Sequence, residues 1–269
     1  MKPAPYDYVR PRDLDAAVAL VSRGGGAAKI VAGGQSLGPM LNLRLVEPAL
    51  VVDVAALAAL RRAAIEDGDL VLGACVTHAD IEDGRVPDVT RGAMRGVAGS
   101  IAFRAVRNRG TVGGSLSHAD PAADWVSALT ALDARVVLRG EADARTVPMA
   151  EFVTGAFETA LGPGEILAAV RIPPLPPGAR WGYAKACRKA GEFAHAIAAV
   201  VLDPGRGSRA VIGAVDGRPL ILDGVPGLCG GGWDPGAACA ALERAGIADP
   251  VDRHIHTAVL GRAVREAAS

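Results

Sequence analysis

The sequence predicts an α+β protein, and three of its features carry that prediction. Two Gly-Gly stretches, VAGGQS at 31–36 and TVGGS at 111–115, each lie where an apolar run gives way to polar residues. The proline-rich hexapeptide PPLPPG at 173–178 divides the chain. Beyond it, consecutive strand-like runs are followed by two helical ones, an order that favours segregated strands and helices over strict β-α alternation.

Taken from the amino terminus, RDLDAAVALVSRGGG repeats Leu14, Val18 and Val21 at helical spacing, with Asp13 placed to cap the helix and Gly24 to stop it. AKIVA at 28–32 reads as a strand entering the first Gly-Gly loop, and ALVVDV at 49–54 as a second strand. AAIEDGDLVLGA at 63–74 reads as a hairpin turning on Asp67-Gly68, a dipeptide that tolerates the positive φ of a tight hairpin turn. Residues 88–99 read as helix despite their glycines. The second Gly-Gly loop opens onto DPAADWVSALTALDA, where Asp120 suits a helix cap, Pro121 the first helical position, and apolar residues recur every three or four. ARVVLRG at 134–140 and GEILAAVRIP at 164–173 are strands. After the prolines, GYAKACRK, HAIAAVVL, RAVIGAV and RPLILDG are consecutive strands. PGAACAALERAG at 235–246 and RHIHTAVLGRAVREA at 253–267 are the closing helices.

Composition limits the function. A chain of 269 residues that is 50% hydrophobic buries a large core without disulfides or a structural metal. Lys plus Arg and Asp plus Glu stand at 29 each, so no net field draws it to nucleic acid or an anionic membrane. MKPAPYDYVR lacks the apolar segment of a secretory signal, and the longest aliphatic run, AIAAVVL at 196–202, is far short of a membrane span; a cytoplasmic protein is expected. Cys75, Cys187, Cys229 and Cys239 form no C-x-x-C pair, which argues against an iron–sulfur or zinc site and for reduced, structural cysteines.

The two loops carry the chemistry. Consecutive glycines let neighbouring backbone N–H groups turn together into a concave anion site, and an adjacent Ser or Thr adds a hydroxyl. Neither loop contains G-x-G-x-x-G, and no glycine precedes a lysine, so Rossmann and P-loop sites are excluded. Either loop alone also reads as a tight turn at a strand end. No H-E-x-x-H or Cys/His pairing supports a hydrolase. His78 reads as a helix-start residue rather than a catalytic base. His254 and His256, two apart on a helix, point in different directions and make no shared metal site.

Taken together, AGGQSLGPMLNLRL at 32–45, VRNRGTVGGSLSHADPAADW at 106–125 and GYAKACRKAGEFA at 182–194 resemble, in that order and spacing, the FAD-binding medium subunit of the molybdenum hydroxylases, the family of xanthine dehydrogenase, aldehyde oxidase and molybdenum-type carbon monoxide dehydrogenase. The resemblance extends over nearly the whole chain. It implies a two-subdomain FAD-binding domain of the PCMH or vanillyl-alcohol-oxidase-like type over 1–173, with a joint near 54–60, followed by a small α+β domain over 178–269.

It further implies that Ala32, Gly33, Gly34, Gln35, Ser36 and Leu37 wrap the FAD pyrophosphate while Thr111, Val112, Gly113, Gly114 and Ser115 complete the cradle. Asp124 would lie near the ribose and adenine, and Lys185 would contact the cofactor. Phe193 is either an aromatic beside the flavin or a core phenylalanine. His118 reads as a cofactor contact or an exposed loop histidine, and Asp120 joins the expected cofactor-binding set unless capping is its whole role. Gln35 stands where some relatives have His, so the first loop should lack pH-dependent tuning from that position. No catalytic acid or base is named, because the flavin carries the chemistry.

The implied function is electron transfer. A molybdenum large subunit with its molybdopterin would hydroxylate the substrate, a small subunit's iron–sulfur clusters would relay electrons, and FAD would pass them to NAD, oxygen or another acceptor, in a dimer of heterotrimers. The rival readings are a free-standing FAD-dependent oxidoreductase and a nucleotide-binding module without redox function.

Overall fold

The computed structural model describes residues 2–205, 207–223 and 232–269. The chain begins with a parallel sheet. β1 (Asp7–Val9), α1 (Leu14–Gly24), β2 (Ala28–Val31) and β3 (Leu50–Asp53) give the order β1-β3-β2, with α2 (Leu37–Asn42) crossing between the last two strands. The Asp13 carboxylate accepts the Ala16 N–H at 2.8 Å, and α1 stops where Gly25 takes φ +50°. After α3 (Ala58–Arg61), the hairpin of β4 (Ala63–Glu66) and β5 (Asp69–Gly73) turns on Asp67 and Gly68 at φ +54° and +87°, the double positive φ that Asp-Gly is suited to supply.

A helical layer follows: α4 (His78–Glu82), α5 (Ala93–Ser100), α6 (Arg104–Arg107), α7 (Val112–His118) and α8 (Asp124–Ala131). β6 (Arg135–Arg139), β7 (Ala144–Pro148), α9 (Met149–Phe152), the short hairpin of β8 (Val153–Gly155) and β9 (Glu158–Thr159), and β10 (Ile166–Ile172) complete the first part. β10 returns between β5 and β6, so the second sheet runs β4-β5-β10-β6-β7, antiparallel throughout. The four strands β11 (Arg180–Ala186), β12 (Ala196–Leu202), β13 (Arg209–Gly213) and β14 (Leu220–Asp223) then form an antiparallel meander covered by α10 (Pro235–Arg244) and α11 (Pro250–Ala268). All seven residues of β12 are buried because α8 packs on one face and α11 on the other.

Three sequence expectations are corrected here. The helix expected over 88–99 starts at Ala93, because the Asp88 carboxylate takes the N–H groups of Thr90 and Gly92, and Arg91 and Gly92 both have positive φ. Asp120 does not cap α8 and Pro121 does not open it. The Asp120 carboxylate accepts from Ala122 N at 2.9 Å and closes a turn, the Pro121 carbonyl accepts from Ala214 N, and the helix begins at Asp124. The second Gly-Gly stretch is not an open loop: Thr111 caps α7 by accepting the Gly114 N–H, and both glycines lie in its first turn. Cys229 lies outside the described residues.

The proline-rich hexapeptide joins β10 to β11 but is tied down. Leu175 N donates to Val89 O, and the Arg91 guanidinium reaches the carbonyls of Leu175, Pro176 and Ala179. The main core also runs through this joint, since Ala199, Val201 and Val211 belong to the same apolar cluster as Trp125 and Leu129.

At that seam the Ser127 hydroxyl on α8 presses against Gly213 and is the one buried side-chain polar atom without a partner among the described residues. An unsatisfied buried hydroxyl costs ~1–3 kcal/mol. Ser127→Ala should therefore hold or raise the thermal midpoint; a clear drop in calorimetry would mean that the hydroxyl has a partner.

Candidate functional site

Between the parallel sheet and the helical layer lies a cavity of about 920 Å³, a size within the usual range of ligand sites. Ala32, Gly33, Gly34, Gln35, Ser36 and Leu37 form one wall, and Thr111, Gly113, Gly114 and Ser115 another; His118, Asp120, Asp124 and Phe193 also border it. Two expected residues do not. Val112 is fully buried behind the wall, its N–H given to Val76 O, and Lys185 stands back from the cavity.

The walls meet through glycine. A β-carbon at Gly33 would lie 2.0 Å from the Arg109 carbonyl oxygen, and one at Gly113 would lie 2.4 Å from the Ala74 β-carbon. Side chains at these positions would hold the backbones apart, so the first loop can rest on the segment leading to the second only as glycine. Gly34 differs: its surroundings have room, with the nearest atom 3.6 Å away, but its φ of +71° is left-handed.

The two loops present different hydrogen-bonding capacity. In the second, the N–H groups of Val112, Gly113, Gly114 and Ser115 donate to Val76 O, Ala74 O, Thr111 Oγ1 and Thr111 O. In the first, none of the N–H groups of residues 33–37 has a protein acceptor among the described residues; the next amide, Gly38, already bonds to Gly34 O. Unpaired N–H groups around a left-handed glycine make an anion nest. The first loop thus has amides free for an anion, while the second contributes close packing and the hydroxyls of Thr111 and Ser115. Gln35 Nε2 folds back on Gly33 O at 3.1 Å and steadies the loop.

Asp124, at the start of α8, is already engaged. Its Oδ1 accepts from Lys185 Nζ at 2.6 Å, from Tyr183 Oη at 2.6 Å and from Ser100 Oγ at 3.4 Å, and Lys185 also donates to Ser100 O at 2.8 Å. Lys185 thus forms a largely buried ion pair with Asp124. Burial, with Asp124 adding to it, pushes the Tyr183 phenol well above its usual range, so Tyr183 stays a donor. Phe193 is 64% exposed at the cavity rim, which removes the core reading of this residue. His118 lies against Phe157, ring centroids 5.1 Å apart.

Two further wall residues, Cys75 and His78, were not among the expected site residues. Cys75 is buried, its thiol pushed up to about 12, and it donates weakly to Val54 O, so it remains an inert thiol. His78 opens α4 and is 5% exposed; burial lowers its ionisation to about 4, with Asp124 opposing and Arg107 adding to the shift. Its helix-start role was legible from Thr77 and Asp80, which form a capping box. Its place at the cavity was not, because that depends on Gly110 and Trp125, distant in sequence.

Residues 4–175 match the family described as "FAD binding domain in molybdopterin dehydrogenase". The chain belongs to this family. Two curated relatives come from Paenarthrobacter nicotinovorans. The 6-hydroxypseudooxynicotine dehydrogenase complex subunit alpha is 36% identical over 225 residues, 82% of this chain and 76% of that protein. The nicotine 6-hydroxylase medium subunit is 36% identical over 250 residues, 90% of this chain and 87% of that protein. Among solved structures, carbon monoxide dehydrogenase from Hydrogenophaga pseudoflava aligns with a TM-score of 0.90 at 31% identity, covering 99% of this chain and 98% of that one. Quinoline 2-oxidoreductase from Pseudomonas putida 86 aligns at 0.87 and 31%, covering 100% and 98%. The FAD-binding domain of this family is thus present, and its cofactor is FAD. The nest, the cavity's volume and its largely apolar lining fit a dinucleotide. Among the described residues no cluster of His, Cys, Asp and Glu could hold a metal, and no helix is long and apolar enough to cross a membrane.

Two predictions follow from this geometry. Gly33→Ala pushes backbone against backbone, so it should destabilise the fold by ~1–3 kcal/mol. Gly34→Ala has space but not the right φ, which costs ~1–2 kcal/mol; it should leave the fold intact and raise the FAD dissociation constant roughly tenfold. Thermal unfolding and FAD titration of both variants check this, and unchanged FAD affinity in Gly34→Ala would remove the nest from the site.

The second prediction concerns pH. Because the folded-state ionisation of His78 lies at about 4, below its usual 6.5, the unfolded chain binds more protons between those values. The His78 contribution to stability is therefore present above about 6.5 and is lost as the pH falls toward 4, with a slope of up to ~1.4 kcal/mol per pH unit. Denaturant unfolding from pH 4 to 7 should show a shallower slope for His78→Gln than for the parent; parallel curves would refute it.

Proposed function

We propose that the chain is the FAD-carrying medium subunit of a molybdenum-containing hydroxylase or dehydrogenase, receiving electrons from a partner's iron–sulfur clusters and delivering them to NAD, oxygen or another acceptor. The observation that carries this reading is the row of unpartnered amides at residues 33–37 on the wall of a cavity large enough for a dinucleotide. Relatives named as subunits of dehydrogenase complexes and as medium chains support it, as does the molybdenum cofactor named for the carbon monoxide dehydrogenase of Hydrogenophaga pseudoflava.

FAD, when bound, supplies the redox chemistry. The chain's own residues bind and orient. The amides of residues 33–37 hold the diphosphate, Thr111 and Ser115 offer hydroxyls from the facing wall, and apolar residues such as Ile30, Leu60, Ile101 and Leu167 keep water from the cofactor's buried surface. Asp124, held in place by Lys185 and Tyr183, turns its remaining oxygen, Oδ2, to a hydroxyl of the ribose side. Phe193 stands at the rim as an apolar cover for the flavin. Cysteines Cys75, Cys187 and Cys239 are free and dispersed, so cluster ligands must come from another subunit, and a dimer of heterotrimers in the cytoplasm is the assembly expected.

The purified chain should be yellow, with one non-covalent FAD, and should oxidise no purine, aldehyde or other heterocycle until iron–sulfur and molybdenum subunits are added. Light scattering during size exclusion of native extract, with metal analysis of the flavin-containing peak, checks the assembly. A flavin-loaded homo-oligomer free of iron and molybdenum that turns over a substrate alone would instead establish a free-standing flavoenzyme.

A further inference from the structure

His78 is a buried polar residue of the cavity wall that no motif and no part of the proposed function has used. Its ring is fixed on both sides. On one, the indole Nε1 of Trp125 lies 3.0 Å from Nδ1, and Trp125 is fully buried, so it cannot swing away. On the other, the ring rests against Gly110, where an added β-carbon would lie 2.8 Å from Nε2. The backbone is pinned as well: His78 N donates to Gly110 O at 2.9 Å, and the Thr77–Asp80 capping box sets the first turn of α4.

An indole N–H donates and never accepts, so Nδ1 must present its lone pair to Trp125. A neutral imidazole has one proton, and that proton is therefore on Nε2. Nε2 has no hydrogen-bond partner among the described residues, and the residue borders the cavity. The ring is 95% buried, yet Nε2 is not among the fully buried atoms, so its proton is open to the cavity and available to an acceptor atom of an occupant there. The amides at residues 33–37 provide for the diphosphate, which leaves the Nε2–H for a neutral acceptor such as a carbonyl oxygen, a ring nitrogen or a sugar hydroxyl.

We propose that His78 positions the bound FAD by donating its Nε2–H to a neutral acceptor atom of the cofactor, with Trp125 holding the tautomer that makes this possible. This rests on the FAD reading above. The interaction lies in one half of the dinucleotide, so it should be felt by one of the two half-ligands and not by both.

The test is a titration of FAD, FMN and ADP against the parent chain, His78→Phe and His78→Gln. His78→Phe should weaken FAD roughly tenfold, as loss of one buried hydrogen bond does, and should weaken either FMN or ADP while sparing the other. Gln can accept from Trp125 through its carbonyl and donate through its amide, so His78→Gln should recover most of the loss. In the His78→Phe background, adding Trp125→Phe should cost no further affinity. For the parent chain, nitrogen-15 NMR should show His78 protonated at Nε2, with that proton protected from exchange once FAD is added. Equal affinities in the parent chain and His78→Phe, equal losses for FMN and ADP, or an Nε2 proton unchanged by FAD would each overturn the proposal. Should His78→Phe not fold, the NMR measurement on the parent chain decides alone. A parent chain that binds no FAD would overturn the functional reading as well, whereas one that binds FAD with His78 indifferent would overturn only this inference.

Discussion

The site depends on backbones that touch where side chains would keep them apart. Gly33 lies on the carbonyl of Arg109, Gly110 on the ring of His78, and Gly113 on Ala74, so the end of β2, the segment before α7 and the end of β5 meet at three glycines. Their contact fastens the parallel sheet to the helical layer and leaves the cavity beside it. It also explains the unequal wall. The second loop uses its amides to anchor itself, giving those of Val112 and Gly113 to Val76 and Ala74, while the first, placed by packing, keeps its amides unspent. One wall is structural and the other is chemical.

What could be read from the sequence follows from how local each cause is. The strands were legible because their signals are local: β-branched runs such as those of β3 and β12, and an Asp-Gly turn whose two residues take the φ values the dipeptide favours. The glycine pairs were legible because the absence of a side chain is visible at a single position. Helix starts were read less well wherever a short polar side chain had two uses. Asp88 and Asp120 are both suited to cap helices, but each closes a turn on an amide two residues ahead, and the helices begin later. The wall role of His78 and the pairing of Lys185 with Asp124 join residues 47 and 61 positions apart and leave no local trace.

The proline-rich joint illustrates the same limit. As composition it marks a boundary, and β11 does begin a separate sheet just after it. Yet α8 is shared: its apolar face packs on β12 and β13, so residues on both sides of the prolines belong to one core. The Asp124–Lys185 pair crosses the same seam from the first residue of α8 to β11, with Tyr183 and Ser100 closing the network. The seam is therefore packed as a protein interior, and the wall residues on α8 are held by the carboxy-terminal sheet as firmly as by their own layer.

Electrostatics gives Lys185 a part in the site through Asp124. Asp120, Asp124, Glu165 and Glu192 all border the cavity, and four bare carboxylates would repel a diphosphate. None of them is bare. Asp120 accepts an amide proton in its turn, and Asp124 is paired with Lys185. Arg145, through two hydrogen bonds, holds the Glu165 carboxyl below its usual range, and Glu192 faces Arg188 at 3.6 Å. With Asp124, Glu165 and Glu192 each paired with a cation, the wall opposes the amides of residues 33–37 with less negative charge than its four carboxylates would carry alone. Lys185 neutralises Asp124 and so lowers the negative charge beside the cavity without itself lining it.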